Sequence, residues 1–297
     1  MPYPAGIIIP ILFFVITFLF VPLSSNLFRP LIGFLIASII LVIICFIDDK
    51  KEISPFFRLI IQFIIALIIL ASGIGISEIR TPLGEIMNLD FWSFEFLGKT
   101  VAPIADFIAV LWIIGMINAM NWLDGVSGLT SSISSVASTI LAITAYMFGQ
   151  HDIALLFGVL AVICLIFFIF DLEKPKILMG DSGAMFLGFA LAVFTIIAGG
   201  KFAIAMIVMF APIFDAIWTV SRRLIKGKSP FKGDYGHLHH KLLERIGSRK
   251  KVVILYSSLV SIFGFTSLYF ETLGKIVIIF ILIVFLTVLE IFLHSKN

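Results

Sequence analysis

Apolar runs of bilayer length recur along this 297-residue chain with little between them. A bilayer core takes about 20 apolar residues per helix. Runs near 5–22, 31–47, 57–76, 101–120, 129–148, 152–170, 183–199, 202–221, 252–270 and 274–293 meet or approach that length. Composition agrees, with 61% of residues hydrophobic and only 13% charged, against about a quarter charged in soluble domains. The expected fold is an all-α polytopic membrane protein of about ten transmembrane helices, forming one integral membrane domain over 1–297. Disorder, a coiled coil and a disulfide scaffold are excluded. Cys45 and Cys164 lie inside apolar runs and read as packing residues. The first run has no basic flank and no small-residue cleavage site, which argues against a cleavable signal. Residues 77–100 break the pattern with Pro82, Gly84 and alternating Phe91, Phe94 and Phe96, as a short extracytoplasmic hairpin or an interfacial segment would.

Ten spans put both termini on one side, together with the loops 48–56, 118–128, 171–182 and 222–251. That side carries 16 of the 21 Lys and Arg residues. The bias marks it as cytoplasmic.

The unusual polar residues cluster at helix ends on that same side. Asp48 and Asp49 directly follow an apolar span; they read either as a solvated helix end or as a pair needing a cation or a proton-transfer role. Asn118, Asn121 and Asp124 are spaced by three along one helix side, before Gly125 and Gly128. They suit either interhelical hydrogen bonding or a polar cavity. Asp181, in Gly180-Asp181-Ser182-Gly183, suits a helix cap, and the glycines also allow a phosphate or ion to approach. His237, His239 and His240 lie within four residues in the loop 222–251, which has ten basic and two acidic residues. Zinc is one reading, but the spacing is too compact for the usual sites; contact with an anion is the other. Asp215 lies six residues before the basic loop and could pair with Arg222 or Arg223. Asp106 reads as structural.

Carboxylates and amide oxygens suit Mg²⁺, which binds through one or two carboxylates plus substrate phosphates. Basic groups would hold the rest of an anion. A site of this composition at a membrane edge can meet a soluble polyphosphate and a lipid head group together.

The segments DDKKE, SPFFRLIIQ, NAMNWLDGVSGL, LMGDSGAMFLGF and SRRLIKGKSPFKGDYGHLHHKLLERIG, in that order, resemble the polyprenyl-phosphate N-acetylhexosamine-1-phosphate transferase family (glycosyltransferase family 4). The resemblance covers nearly the whole chain. It implies transfer of a sugar-1-phosphate from a UDP-sugar to a polyprenyl phosphate, releasing UMP, with Mg²⁺ or in its place Mn²⁺. The HLHH loop is similar to the branch that uses UDP-N-acetylglucosamine and begins cell-wall or surface polysaccharide assembly on undecaprenyl phosphate. The branch that uses UDP-N-acetylmuramoyl-pentapeptide typically has three consecutive histidines, which Leu238 interrupts here.

The resemblance assigns Asp48 and Asp49 to the paired family aspartates, as base or as nucleophile, and Asp124 to a further catalytic acid. It assigns Asp181 and Asn121 to metal or diphosphate positions. His237, His239 and His240 match the donor-contacting loop, with Arg222 and Arg223. Arg58 stands where the family often has Lys, and Asn118 joins the substrate-binding set. Glu52 stands where Asp is usual. Members usually have one more helix and a Pro-x-Pro-Arg-x-Gly-Gly-like run; here that run begins the chain, with Ala5 at the Arg position. The expected partners are the UDP-sugar, the lipid acceptor, membrane lipids and a second copy in a homodimer, with no nucleic acid. A transporter or an inactive membrane scaffold are the rival classes.

Overall fold

The computed structural model describes residues 5–48, 50–76, 78–80, 85–89, 92–96, 99–172, 178–199, 201–229 and 236–294. Its first three helices are α1 (Ala5–Phe20), α2 (Ser25–Asp48) and α3 (Pro55–Ala71). After two short ladders come α4 (Pro103–Leu123), α5 (Leu129–Met147), α6 (His151–Asp171) and α7 (Gly180–Ile197). The chain continues through α8 (Phe202–Val208), α9 (Phe210–Ile225), α10 (Leu238–Ile246), α11 (Arg249–Ser267) and α12 (Thr272–His294). Helix occupies every expected span. Six helices (α2, α4, α5, α6, α7 and α12) are long and apolar enough to cross a membrane. The protein is thus an all-α polytopic membrane protein.

The eighth expected span is not one rod. α8 and α9 meet at 78°, around Met209 at φ −103°, ψ 13°. Pro212 explains why the helix cannot run through: it has no N–H for the Val208 carbonyl, and its ring crowds that carbonyl. Counted as one broken span, the pair makes a seventh.

α7 is the hub. It packs against α1, α2, α4, α5, α6 and α8, and every residue from Ser182 to Ile196 is buried. Between helices in lipid, small residues permit close backbone approach. A Cβ at Gly188 would lie 2.4 Å from the Met116 carbonyl oxygen of α4. Phe13, Phe34, Phe186 and Phe194 fill the space between α1, α2 and α7 with ring centroids 5.0–6.1 Å apart. In α5 the sequence L-T-S-S-I-S-S-V-A-S buries a row of hydroxyls, and Ser135 Oγ donates to the Ala161 carbonyl of α6.

Within 77–100 and just beyond, β1 (Glu78–Arg80) pairs antiparallel with β2 (Ile86–Asn88), Ile79 opposite Met87. β3 (Phe94–Phe96) pairs with β4 (Lys99–Val101), Glu95 opposite Thr100.

Candidate active site

α2 ends at Asp48. Its Oδ1 accepts from Ile53 N–H at 2.6 Å, and its Oδ2 accepts from Arg58 Nη1 at 2.9 Å. Asp48 therefore ties the end of α2 to α3, whose start is fixed by the Ser54 cap and Pro55. Asp49 lies outside the described residues.

Arg58 Nη1 is also 3.7 Å from Asp181 Oδ2. One guanidinium thus sits between an acid at the end of α2 and one in the first turn of α7. The Asp181 side chain is 43% exposed and that of Asp48 11%, so Asp181 is the member open to a soluble substrate.

α4 runs three residues beyond its expected end. Asn118 donates to Gln62 Oε1 at 2.7 Å and to the Ile114 carbonyl at 2.8 Å. Its carboxamide joins α3 to α4. One turn on, the Asn121 side chain lies beside Asp181 and favours its charged form, against the burial that raises the Asp181 pKa.

Asp124 caps α4. Burial pushes its carboxyl well above the usual carboxylate range, and the negative charges of Asp171 and Asp181 push the same way. Asp171 is an acid that sequence reasoning missed. It ends α6, is 3% exposed, and accepts from Gly128 N–H, which sits at φ 84° and starts α5. The available signal was the one used for Asp48, a carboxylate directly after an apolar span.

α9, α10 and the loop between them form the second half. Asp215 accepts from Leu238 N–H at 2.9 Å and lies 2.9 Å from His239 Nδ1 and 3.4 Å from His237 Nδ1. The sequence allows Asp215 a pairing with Arg222 or Arg223; the partners seen for it are Leu238 and the histidines. Thr219 Oγ1 adds a 3.3 Å contact to His237 Nδ1. Arg223 is buried and donates from Nε to the Ser229 carbonyl. Arg222 lies against Gly236, where a Cβ would be 2.1 Å from its guanidinium. Asp215, His237 and His239 offer ligand atoms within 4.8 Å of one another. Donor groups of the loop already surround both carboxylate oxygens, so hydrogen bonding accounts for this cluster.

The two halves meet at Gly125. A Cβ there would lie 2.6 Å from His240 Nε2 and 2.9 Å from His239 Nε2. With His239 Nδ1 directed at a carboxylate, its Nε2 faces the 121–128 turn; that atom is buried with no hydrogen-bond partner among the described residues. His240 is half-buried. Loss of hydration, then the neighbouring His239 and His237, lower its pKa to about 4 against the pull of Asp215. It is neutral at physiological pH.

The sequence profile described as "Glycosyl transferase family 4" matches residues 31–199. That is more than half of the chain. The chain belongs to glycosyl transferase family 4. It is 27% identical over 266 residues to the probable undecaprenyl-phosphate N-acetylglucosaminyl 1-phosphate transferase of Bacillus subtilis (strain 168), covering 86% of this chain and 70% of that protein. It is 34% identical over 243 residues to the undecaprenyl-phosphate alpha-N-acetylglucosaminyl 1-phosphate transferase of Pasteurella multocida (strain Pm70), covering 75% and 62%. To the decaprenyl-phosphate N-acetylglucosaminephosphotransferase of Mycobacterium tuberculosis (strain ATCC 25618 / H37Rv) it is 27% identical over 267 residues, covering 80% and 63%. The chain thus spans 62–70% of the length of these three relatives. The glycosyl transferase family 4 match contains Asp48, Arg58, Asn121, Asp124, Asp171 and Asp181; Asp215 and the histidines lie beyond it.

Proposed function

We propose that this family 4 protein transfers N-acetylglucosamine-1-phosphate from UDP-N-acetylglucosamine to undecaprenyl phosphate or a related polyprenyl phosphate, releasing UMP. The reaction would begin lipid-linked cell-wall or surface polysaccharide assembly at the cytoplasmic face. The observation that carries this reading is the meeting, at Gly125, of an acid cluster and a histidine loop at one end of the helices. A transporter would place its polar groups nearer the bilayer midplane.

Mg²⁺ is the cation that the acid cluster suits. Asp48, Asp181, Asp124 and Asp171 follow one another as neighbours, with Arg58 between Asp48 and Asp181 and Arg249 near Asp171. Four carboxylates to two guanidinium groups leave negative charge that a diphosphate would worsen. Asp181 and Asn121, with Asp124 beside them, are the oxygen donors that would hold the ion. Bound there, it would neutralise the diphosphate and the departing UMP. The Asp48–Asp49 pair would take the proton of the acceptor phosphate. An acceptor oxygen then bonds to the sugar-bearing phosphorus, and the bond from that phosphorus to the bridging oxygen breaks. Arg58 orients Asp48, and the loop with Arg222, Arg223, His237, His239 and His240 takes the donor. Ten crossings are what the apolar runs suggest, and the charge bias would put both ends and the site on the cytoplasmic side.

The test is UMP release by purified protein given UDP-N-acetylglucosamine, undecaprenyl phosphate and Mg²⁺, with EDTA as a control. UMP release that EDTA abolishes is expected. Release only with UDP-N-acetylmuramoyl-pentapeptide would move the protein to the peptidoglycan branch, and no release with any UDP-sugar would overturn the reading.

A further inference from the structure

α12 is the least enclosed of the six long apolar helices, with 28% of its apolar window buried against 83% for α7. Val288 and Ile291 are exposed on it, yet Glu290, between them, is 2% exposed. An ionisable group turned inward from a lipid-facing helix has a specific partner or a function. Here Glu290 Oε1 receives Lys241 Nζ of α10, and the Lys241 side chain is itself only 11% exposed. Lys241 follows His240 directly, and its backbone N–H donates to the His237 carbonyl.

Two carboxylates from different helices therefore grip the first turn of α10. Asp215 of α9 holds Leu238 and His239, and Glu290 of α12 holds Lys241. Positions two apart on an α-helix point about 200° from each other, so His239 and Lys241 are held on opposite sides. α10 has nine residues, too few to be a stable helix by itself. Its rotation about its own axis is set by these two grips. His240 lies between the gripped residues and reaches Gly125.

The geometry points to Glu290 as a positioning residue for the transfer reaction: through Lys241 it fixes the rotation of α10 and so the placement of His240 against the Asn121–Asp124 turn. This rests on the transferase reading above. Tyr256 of α11, 2% exposed and within electrostatic reach of both Asp215 and Glu290, lines the same interior, its hydroxyl without a hydrogen-bond partner among the described residues.

The experiment compares wild type, Glu290→Gln and the exchange pair Lys241→Glu with Glu290→Lys in the full chain. Amide hydrogen exchange over 238–246 reports the grip without substrate. UMP release reports the reaction. Glu290→Gln should speed exchange there while leaving α4 and α7 protected. It should also lower kcat about 10- to 100-fold, the range for groups that act through a site residue, with the KM for the lipid acceptor unchanged. The exchanged pair should recover most of the kcat. Unchanged exchange in Glu290→Gln overturns the proposal, and so does faster exchange with kcat within about twofold of wild type. A wild type that releases no UMP would instead sink the transferase reading, and hydrogen exchange would still decide whether Glu290 grips α10.

Discussion

The two halves of the site solve opposite electrostatic problems. In the acid half, four carboxylates in a row meet two guanidinium groups, Arg58 between Asp48 and Asp181 and Arg249 near Asp171, and the Asp181 side chain is half-exposed. Around Asp215, one buried carboxylate meets three donors of the histidine loop, and Lys241 is matched by Glu290. The first region is left short of positive charge; in the second each of the two buried carboxylates meets a donor, while His239 Nε2, the Tyr256 hydroxyl and Glu290 Oε2 are buried with no hydrogen-bond partner among the described residues. Buried carboxylates that meet donors on another helix fix a shape, whereas neighbouring carboxylates that outnumber their cations favour a bound cation. The acid half is therefore where an ion changes the energetics most, and in the histidine half Asp215 and Glu290 fix the placement of the residues proposed to take the donor.

The largest effect should come from the open acid. Asp181→Asn keeps the size of the side chain and its place in the first turn of α7, but removes the charge that Arg58 and a cation share. Loss of roughly 10²–10³ in kcat is expected, the scale of removing one charge-stabilising group from a reaction site, with the remaining activity much less responsive to Mg²⁺. Steady-state UMP release across a Mg²⁺ series measures both. Near-normal kinetics would leave Asp181 with only a helix-start role and would erase the contrast between the halves.

The join between the halves is tested at Gly125. Its Cβ space is taken by two imidazoles, one of them on a ring held by Asp215. Gly125→Ala must displace His240, because His239 is fully buried. Overpacking of this kind costs about 1–3 kcal/mol. A thermal midpoint a few degrees lower and a kcat reduced about tenfold are expected. If the variant matched wild type in both, the histidine half would not touch the acid half in any way that matters to turnover.

Much of this was legible in the sequence for a physical reason. Long apolar runs favour helix because lipid offers the backbone no other partner; helix occupies each of the ten runs, and six helices, seven with the bent pair, are long and apolar enough to cross a membrane. Polar residues at the ends of such runs stand out against the apolar background, which is why Asp48, Asn121, Asp124 and Asp181 were visible. The bend at Met209 was less so, because hydrophobicity runs through Pro212 without a break. Glu290 was hidden for the converse reason. One acid near the end of a long apolar span looks like the edge of the membrane, and only tertiary packing shows that it turns inward to Lys241. Asn118 and Asn121 are alike in sequence and differ in use, since Gln62 of α3 reaches only the first. Which imidazole nitrogens face Asp215 is likewise set by tertiary placement, with α10 packed on α11 and α12.

The smallest effect concerns protons. His240 is held at about 4 in the folded protein, below its usual value near 6.5. Between those values the unfolded chain binds the proton and the folded one does not, so this residue makes stability rise with pH through that window and level off above it. Acidification from pH 7 toward pH 4.5 should therefore lower the thermal midpoint of the wild type more steeply than that of His240→Gln, which has no proton to gain. The difference should be small, because His240 is only half-buried and solvent screens it. Parallel slopes would mean that His240 is hydrated like an ordinary surface histidine, and the placement fixed in its half of the site would then extend only to Asp215 and His239.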